Sequence, residues 1–193
     1  FEVTKQYTVY AAIDSHPRTQ QAVMFMAVDQ KSRKWVIHEI FQHGTPDEIA
    51  DWIINFHDDV HKIQKVLIEP AAQGDTNRGD STFQIIERRL AEQQIPLEFG
   101  SKDLAGGILQ VREHLKSANQ QASLWIFNTC VVAIKEMMNY IWADWSKSSD
   151  KGEKQKPRDA NDHMVENMRR LIQHPIEFVG SGFYTSLLEQ ANK

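Results

Sequence analysis

Cysteine is nearly missing from this sequence: Cys130 is the single one in 193 residues. That excludes an internal disulfide and a cysteine-built zinc cage, and it fits a reducing compartment such as the cytoplasm. Positive charge is not in excess either. Lys and Arg number 22 against 26 Asp and Glu, for a formal net charge of −4. A nucleic-acid partner would need a local basic face, or cations to offset phosphate repulsion. No apolar run approaches the roughly 20 residues of a membrane-spanning helix. A phosphate-binding loop is also missing. Gly74-Asp75 and Arg78-Gly79-Asp80 lack the terminal glycine-lysine-serine/threonine signature, which argues against ATPase chemistry within the chain. Finally, Phe1-Glu2-Val3-Thr4-Lys5 is neither a signal peptide nor an initiating Met. The expectation is a fragment of a longer protein, or a processed product.

What is present suits one soluble domain with a full core. Hydrophobic residues make up 41% and charged residues 25%. Tyr7–Asp14 is β-branched, aromatic and apolar, and Ser15-His16-Pro17 stops it, so it reads as a buried strand ending in an acid. Gln21–Val28 is a second strand, with Val23, Phe25 and Ala27 on one face and Met24, Met26 and Val28 on the other. Lys34–Phe41 is a third, and short connections make an antiparallel meander. Thr45-Pro46-Asp47-Glu48 opens a helix with a capping box and Pro at its first position. Ile49, Trp52, Ile53, Phe56, Val60 and Ile63 follow at helical spacing.

Lys65–Glu69 is a short strand, again ending in an acid, and a strand after a crossover helix is expected to run parallel. A polar loop over Ala71–Ser81 leads to an amphipathic helix over Thr82–Gln94 and a strand at Ile95–Phe99. A helix to about Lys116 follows, in which Gly106-Gly107 weakens the signal. Leu124–Phe127 is a strand, and Val131–Trp142 and Ala160–His174 are helices. Asp144–Lys156 breaks the pattern as a lysine-rich hairpin or loop. The last eighteen residues are left without an assignment. This order predicts an α/β domain: a mixed sheet of three antiparallel strands, then parallel strands, flanked by helices. It is the order of the ribonuclease H-like fold.

In such a sheet the first strand and the strand after the first helix are neighbours, and their carboxyl ends lie side by side, where α/β sheets place ligands. That puts Asp14 beside Glu69. Asp162, in the first turn of the last clear helix, is the best third acid, with Asp159 better placed as the cap. Three carboxylates without a cysteine or histidine cage suit Mg²⁺ or Mn²⁺. Two such ions roughly 3.5–4 Å apart activate water and stabilise the leaving oxygen in phosphodiester hydrolysis. Two of these acids also have a plainer reading, whereas Glu69, a poor turn residue after a V-L-I strand, is better explained by function. Asp14 could form a turn, and Asp162 could serve the helix dipole. His163 either supports the ligands from behind or faces solvent.

Other side chains divide similarly. Lys147, Lys151, Lys154, Lys156 and Arg158 precede the third acid and are read as phosphate contacts, against a solvated-loop alternative. Arg78 and Lys102 are further DNA-binding candidates from the same rim. Arg88-Arg89 and Arg169-Arg170 are expected on outer helix faces. His57 and His61, at i and i+4, read as a solvated helix face rather than a metal pair. Cys130 and His114 lack partners for a catalytic triad.

Five stretches together resemble one family. They are Y-A-A-I-D-S-H-P-R at 10–18, V-L-I-E-P-A-A-Q-G-D at 66–75, G-S-K-D-L at 100–104, K-E-M-M-N-Y-I-W at 135–142 and P-R-D-A-N-D-H-M-V-E-N at 157–167. They resemble the C-terminal nuclease domain of a tailed-bacteriophage large terminase subunit. The resemblance implies a RuvC-like ribonuclease H fold over residues 1–193 as a single domain, lacking the family's ATPase domain. It implies a metal-dependent endonuclease that cuts concatemeric double-stranded DNA during packaging. The acids map onto Asp14, Glu69 and Asp162, with Asp159 as an extra metal ligand. It implies DNA, the ATPase domain, the small terminase subunit and the portal as partners, all in the host cytoplasm. Two readings compete: a Holliday-junction resolvase or integrase on the same fold, and a non-catalytic module that docks on a motor or portal.

Overall fold

The structure, a computed structural model, describes residues 6–16, 18–74, 79–115, 121–140 and 162–179. Its strands are β1 (Thr8–Asp14), β2 (Gln21–Val28), β3 (Lys34–Gln42), β4 (Ile63–Ile68), β5 (Leu97–Phe99) and β6 (Leu124–Ile126). Its helices are α1 (Pro46–Phe56), α2 (Thr82–Ala91), α3 (Leu104–Leu115), α4 (Val131–Asn139) and α5 (His163–Gln173). One sheet carries the order β5-β4-β1-β2-β3-β6. The β1–β2–β3 meander is antiparallel, and β4 joins β1 and β5 joins β4 in parallel. β6 adds to β3 in parallel. The mixed α/β sheet flanked by helices is therefore the one expected.

Period-two alternation sorts the central strands between two cores. Val9, Ala11, Ile13, Val23 and Phe25 pack with Ile49 and Ile53 of α1 and with Ile86 and Leu90 of α2. Tyr10, Ala12, Met24, Met26 and Leu67 pack with Met164, Met168 and Leu171 of α5. Every residue of β1 and β2 is buried. Each large α5 side chain that is fully buried contributes about 1.5–3 kcal/mol. Asp14 has the even parity of Tyr10 and Ala12, so it projects on the α5 side of the sheet.

Several boundaries differ from expectation. α1 ends at Phe56, and Val60 and Ile63 are not on it. Asp58 Oδ1 accepts the N–H groups of Val60 at 2.7 Å and His61 at 2.6 Å, a local turn that competes with further helix. His57 and His61 therefore do not share a helical face. The polar loop after β4 begins as a short 3₁₀ turn, Pro70–Gln73. α5 begins at His163 rather than Ala160, so Asp162 stands before its first turn. The paired glycines of α3 have a packing reason: a Cβ on Gly107 would collide with Cγ of Arg169.

Arg169 and Arg170 are not on an outer face. They are 4% and 7% exposed, because their guanidinium groups turn inward to acids and carbonyls. Of the last eighteen residues, the described part lies against β1. Tyr10 donates its hydroxyl to Glu177 O at 2.8 Å, and Val179 N donates to Thr8 Oγ1 at 2.7 Å. The expected 144–156 hairpin lies outside the described residues.

Candidate metal centre

β1 and β4 pair in parallel with Ile13 opposite Ile68. The next residues, Asp14 and Glu69, therefore leave the sheet side by side, and Glu69 N still donates to Ile13 O at 3.3 Å. Both acids are buried, at 6% and 7% exposure. Both line a cleft of about 750 Å³, together with His16, Thr45, Gly74 and Ser81. The cleft lies at the carboxyl ends of parallel strands, where such sheets bind ligands.

Asp14 is held from two sides by α5. His163 Nδ1 lies 2.7 Å from Asp14 Oδ2, and Arg170 donates to Asp14 Oδ1 at 2.9 Å. Burial alone would raise the Asp14 pKa; the His163 hydrogen bond and the Arg170 charge outweigh it and bring it below the ordinary 3.8. Glu69 has weaker support. Ser15 donates to it from its hydroxyl at 2.7 Å and from its N–H at 3.1 Å. Burial, reinforced by the neighbouring Asp14 charge, raises its pKa. Two close carboxylates, one of them resisting ionisation, form a donor set that a divalent cation stabilises.

His163 has a raised pKa, chiefly through its hydrogen bond to Asp14. His16 stands two residues beyond Asp14, and the ligand atoms of Asp14, His16 and His163 all lie within 4.8 Å of one another. Among the described residues no other group of three or more His, Cys, Asp or Glu side chains brings its ligand atoms this close. Asp162 does not line the cleft, but its charge acts on both His163 and Glu136. Its side chain does not cap α5. That task falls to Glu136 of α4, which accepts the N–H groups of Met164 at 2.6 Å and Val165 at 3.3 Å. Glu39 of β3 likewise accepts the N–H groups of Val132 and Ala133 at the start of α4, at 2.7 and 2.8 Å.

The structure thus brings Asp14, Glu69 and His163 together and sets Asp162 beside His163. Lys102 is exposed on the loop after β5. Asp159, Arg78, Lys147, Lys151, Lys154, Lys156 and Arg158 lie outside the described residues. Reasoning from sequence missed His16, Ser15, Glu136 and Arg170 as neighbours of the acids. One signal was available for Arg170: His163, Glu166 and Arg170 share a helical face at i, i+3 and i+7.

No family model matches the sequence, and no curated protein does. The fold does have solved counterparts. The large terminase of a thermophilic bacteriophage, in two crystal forms, superposes with TM-scores of 0.70 and 0.68 at 17% identity, over 91% of this chain. The P22 large terminase nuclease domain superposes with a TM-score of 0.64 at 14% identity, over 88% of this chain and 82% of that one. This chain spans 40% of the length of the thermophilic phage terminase. At these identities the likeness is one of fold, and it is the fold of a terminase nuclease domain.

Proposed function

We propose that this chain is a divalent-metal-dependent DNA endonuclease, the nuclease part of a terminase that cuts concatemeric double-stranded viral DNA during packaging. One observation carries the reading: Asp14 and Glu69 emerge side by side at the mouth of a cleft, in a fold shared with the P22 terminase nuclease domain. Asp14 and Glu69 would hold the cations, Mg²⁺ or Mn²⁺, with Asp162, which precedes α5, and Asp159 as further ligands. Held there, such ions would polarise a water and offset the charge on the oxygen that leaves phosphorus. Ser15 orients Glu69, and Arg170 holds Asp14 in place. Lys102, Arg78, Arg158 and the lysines at 147, 151, 154 and 156 contact backbone phosphates, which carry little base information, so cutting has low sequence specificity.

As part of a longer packaging protein it works beside an ATPase domain, the small terminase subunit and the portal, in the host cytoplasm. No helix among the described residues is long and apolar enough to cross a membrane. The test is cleavage of supercoiled plasmid in Mn²⁺ and in Mg²⁺. Asp14→Asn and Glu69→Gln lower the rate by about 100-fold or more with unchanged circular dichroism. Unchanged cutting by these variants refutes the assignment. Preference for branched over linear duplexes would instead mark a resolvase. A folded chain that takes up no divalent metal in calorimetry would mark a docking module.

A further inference from the structure

We propose that Phe83 and Phe99 form a stacking platform beside the cleft, which takes an unpaired nucleobase of the DNA. Their ring centroids lie 4.4 Å apart with planes at 27°, the offset stacking that aromatic pairs favour. Phe83 backs Phe99 from the core side, yet Phe99 is still 39% exposed. Among the described residues the other exposed large hydrophobic side chains are placed or built differently. Leu109, Val131 and Met138 carry no ring, and Trp125 lies on β6 at the opposite edge of the sheet.

The fold sets this pair next to the acids. Phe99 is the register partner of Ile68 in the parallel β4–β5 pair, and Gly100 N donates to Ile68 O at 2.8 Å. Neighbouring strands stand about 4.8 Å apart, so Phe99 is one strand across from the residue that precedes Glu69. Phe83 comes directly after Ser81 and Thr82, which line the cleft. The platform is therefore continuous with the rim on which Glu69 stands.

The surroundings suit a nucleic-acid strand. Lys102 follows three residues after Phe99 on an exposed loop. The acids near the pair are already engaged. Asp80 pairs with Arg88 at 2.9 Å, Glu98 pairs with Lys65 at 2.7 Å, and Asp103 Oδ1 accepts the Gly106 N–H at 3.0 Å. Aromatic rings beside a cation are how proteins hold single strands, with the ring taking the base and the cation the backbone. Every base has a π-face, so such a contact adds affinity without sequence preference. Bases within a duplex keep their faces covered by their neighbours. The occupant is thus a base that has left the stack, at a frayed or extended end.

The proposal rests on the nuclease reading for the presence of DNA in the cleft, but its test reads binding in EDTA rather than cleavage. The wild-type chain, Phe99→Ala, Phe99→Leu and Phe99→Trp are titrated with a blunt duplex and with the same duplex bearing a single-stranded extension that contains 2-aminopurine. Phe99 is the position to vary, because Phe83 also packs on the core; circular dichroism checks each fold. The wild type binds the extended duplex about fivefold more tightly, or better, and quenches the 2-aminopurine fluorescence. Phe99→Ala loses both the preference and the quench and keeps its affinity for the blunt duplex. Phe99→Trp retains both. Phe99→Leu, still apolar, loses the quench; a quench kept in this variant marks a merely apolar contact and overturns stacking. Equal wild-type affinity for the two DNAs, binding to neither, or an unchanged Phe99→Ala overturns the proposal. If the preference follows Phe99 but the wild type cuts no plasmid in Mn²⁺, the platform stands and the nuclease reading falls. If the wild type cuts plasmid and Phe99→Ala binds the extension as before, the nuclease reading stands and the platform falls.

Discussion

Arg170 and Asp14 form a buried ion pair: the guanidinium donates to Oδ1 at 2.9 Å, and neither side chain is more than 9% exposed. Removing one partner of such a pair strands the other in a poorly solvated place. Arg170→Met keeps most of the volume and removes the charge. It destabilises the protein by about 3 kcal/mol, measured by urea unfolding in a chelator, with His163 limiting the loss. Saturating Mn²⁺ recovers part of it, because a cation on Asp14 replaces the missing positive charge.

Glu136 caps α5 from a different helix, through the N–H groups of Met164 and Val165. Burial raises its pKa, and these two bonds oppose the rise. Glu136→Ala leaves two buried donors without their acceptor and costs about 1–3 kcal/mol. Glu136→Gln keeps an acceptor oxygen and costs less. Amide hydrogen exchange at Met164 and Val165 accelerates in the alanine variant. Unaltered exchange there would remove Glu136 from its capping role.

Gly107 faces α5 with no room for a side chain. Alanine is the better helix former by about 1 kcal/mol, so propensity alone forecasts stabilisation. The collision with Arg169 reverses the sign. Gly107→Ala lowers stability by about 1–3 kcal/mol in urea melts, since Arg169 is tied to Glu166, Ser101, Asp103 and Gln173 and yields little.

His57 Nδ1 accepts the Ile63 N–H at 3.1 Å at the start of β4, which requires a neutral ring. Burial chiefly, then the Lys62 charge, lowers its pKa from the ordinary 6.5. The unfolded chain therefore binds this proton first as pH falls. The contribution of His57 to stability is present above pH 6.5 and lost below it. Urea stabilities of the wild type and His57→Ala differ most at pH 7.5 and converge toward pH 5.

The parts of the fold legible from sequence are those carried by local pattern. Val23 and Phe25 do face away from Met24 and Met26, because side-chain period alone decides that. The Thr45–Glu48 capping box forms as its spacing implies. Asp14 and Glu69 meet because a crossover helix makes β4 parallel to β1. The end of α1 was misread because Val60 and Ile63 continue the helical rhythm by coincidence. Asp58, a side chain that competes for backbone N–H groups, was the stop signal. The helical face that Arg170 shares with His163 and Glu166 hints at a common neighbour but does not identify Asp14 as the partner. A basic residue late in a helix ordinarily answers the helix dipole, and its actual partner lies 156 positions away.

The same long reach has a consequence for synthesis. Asp14 and His163 are 149 positions apart in sequence yet share a hydrogen bond. At roughly 5–20 residues per second, a ribosome delivers the histidine about 7–30 s after the aspartate. Throughout that interval the nascent polypeptide carries Asp14, and later Glu69, without the α5 side chains that hold Asp14, so the centre is completed only with the last helix.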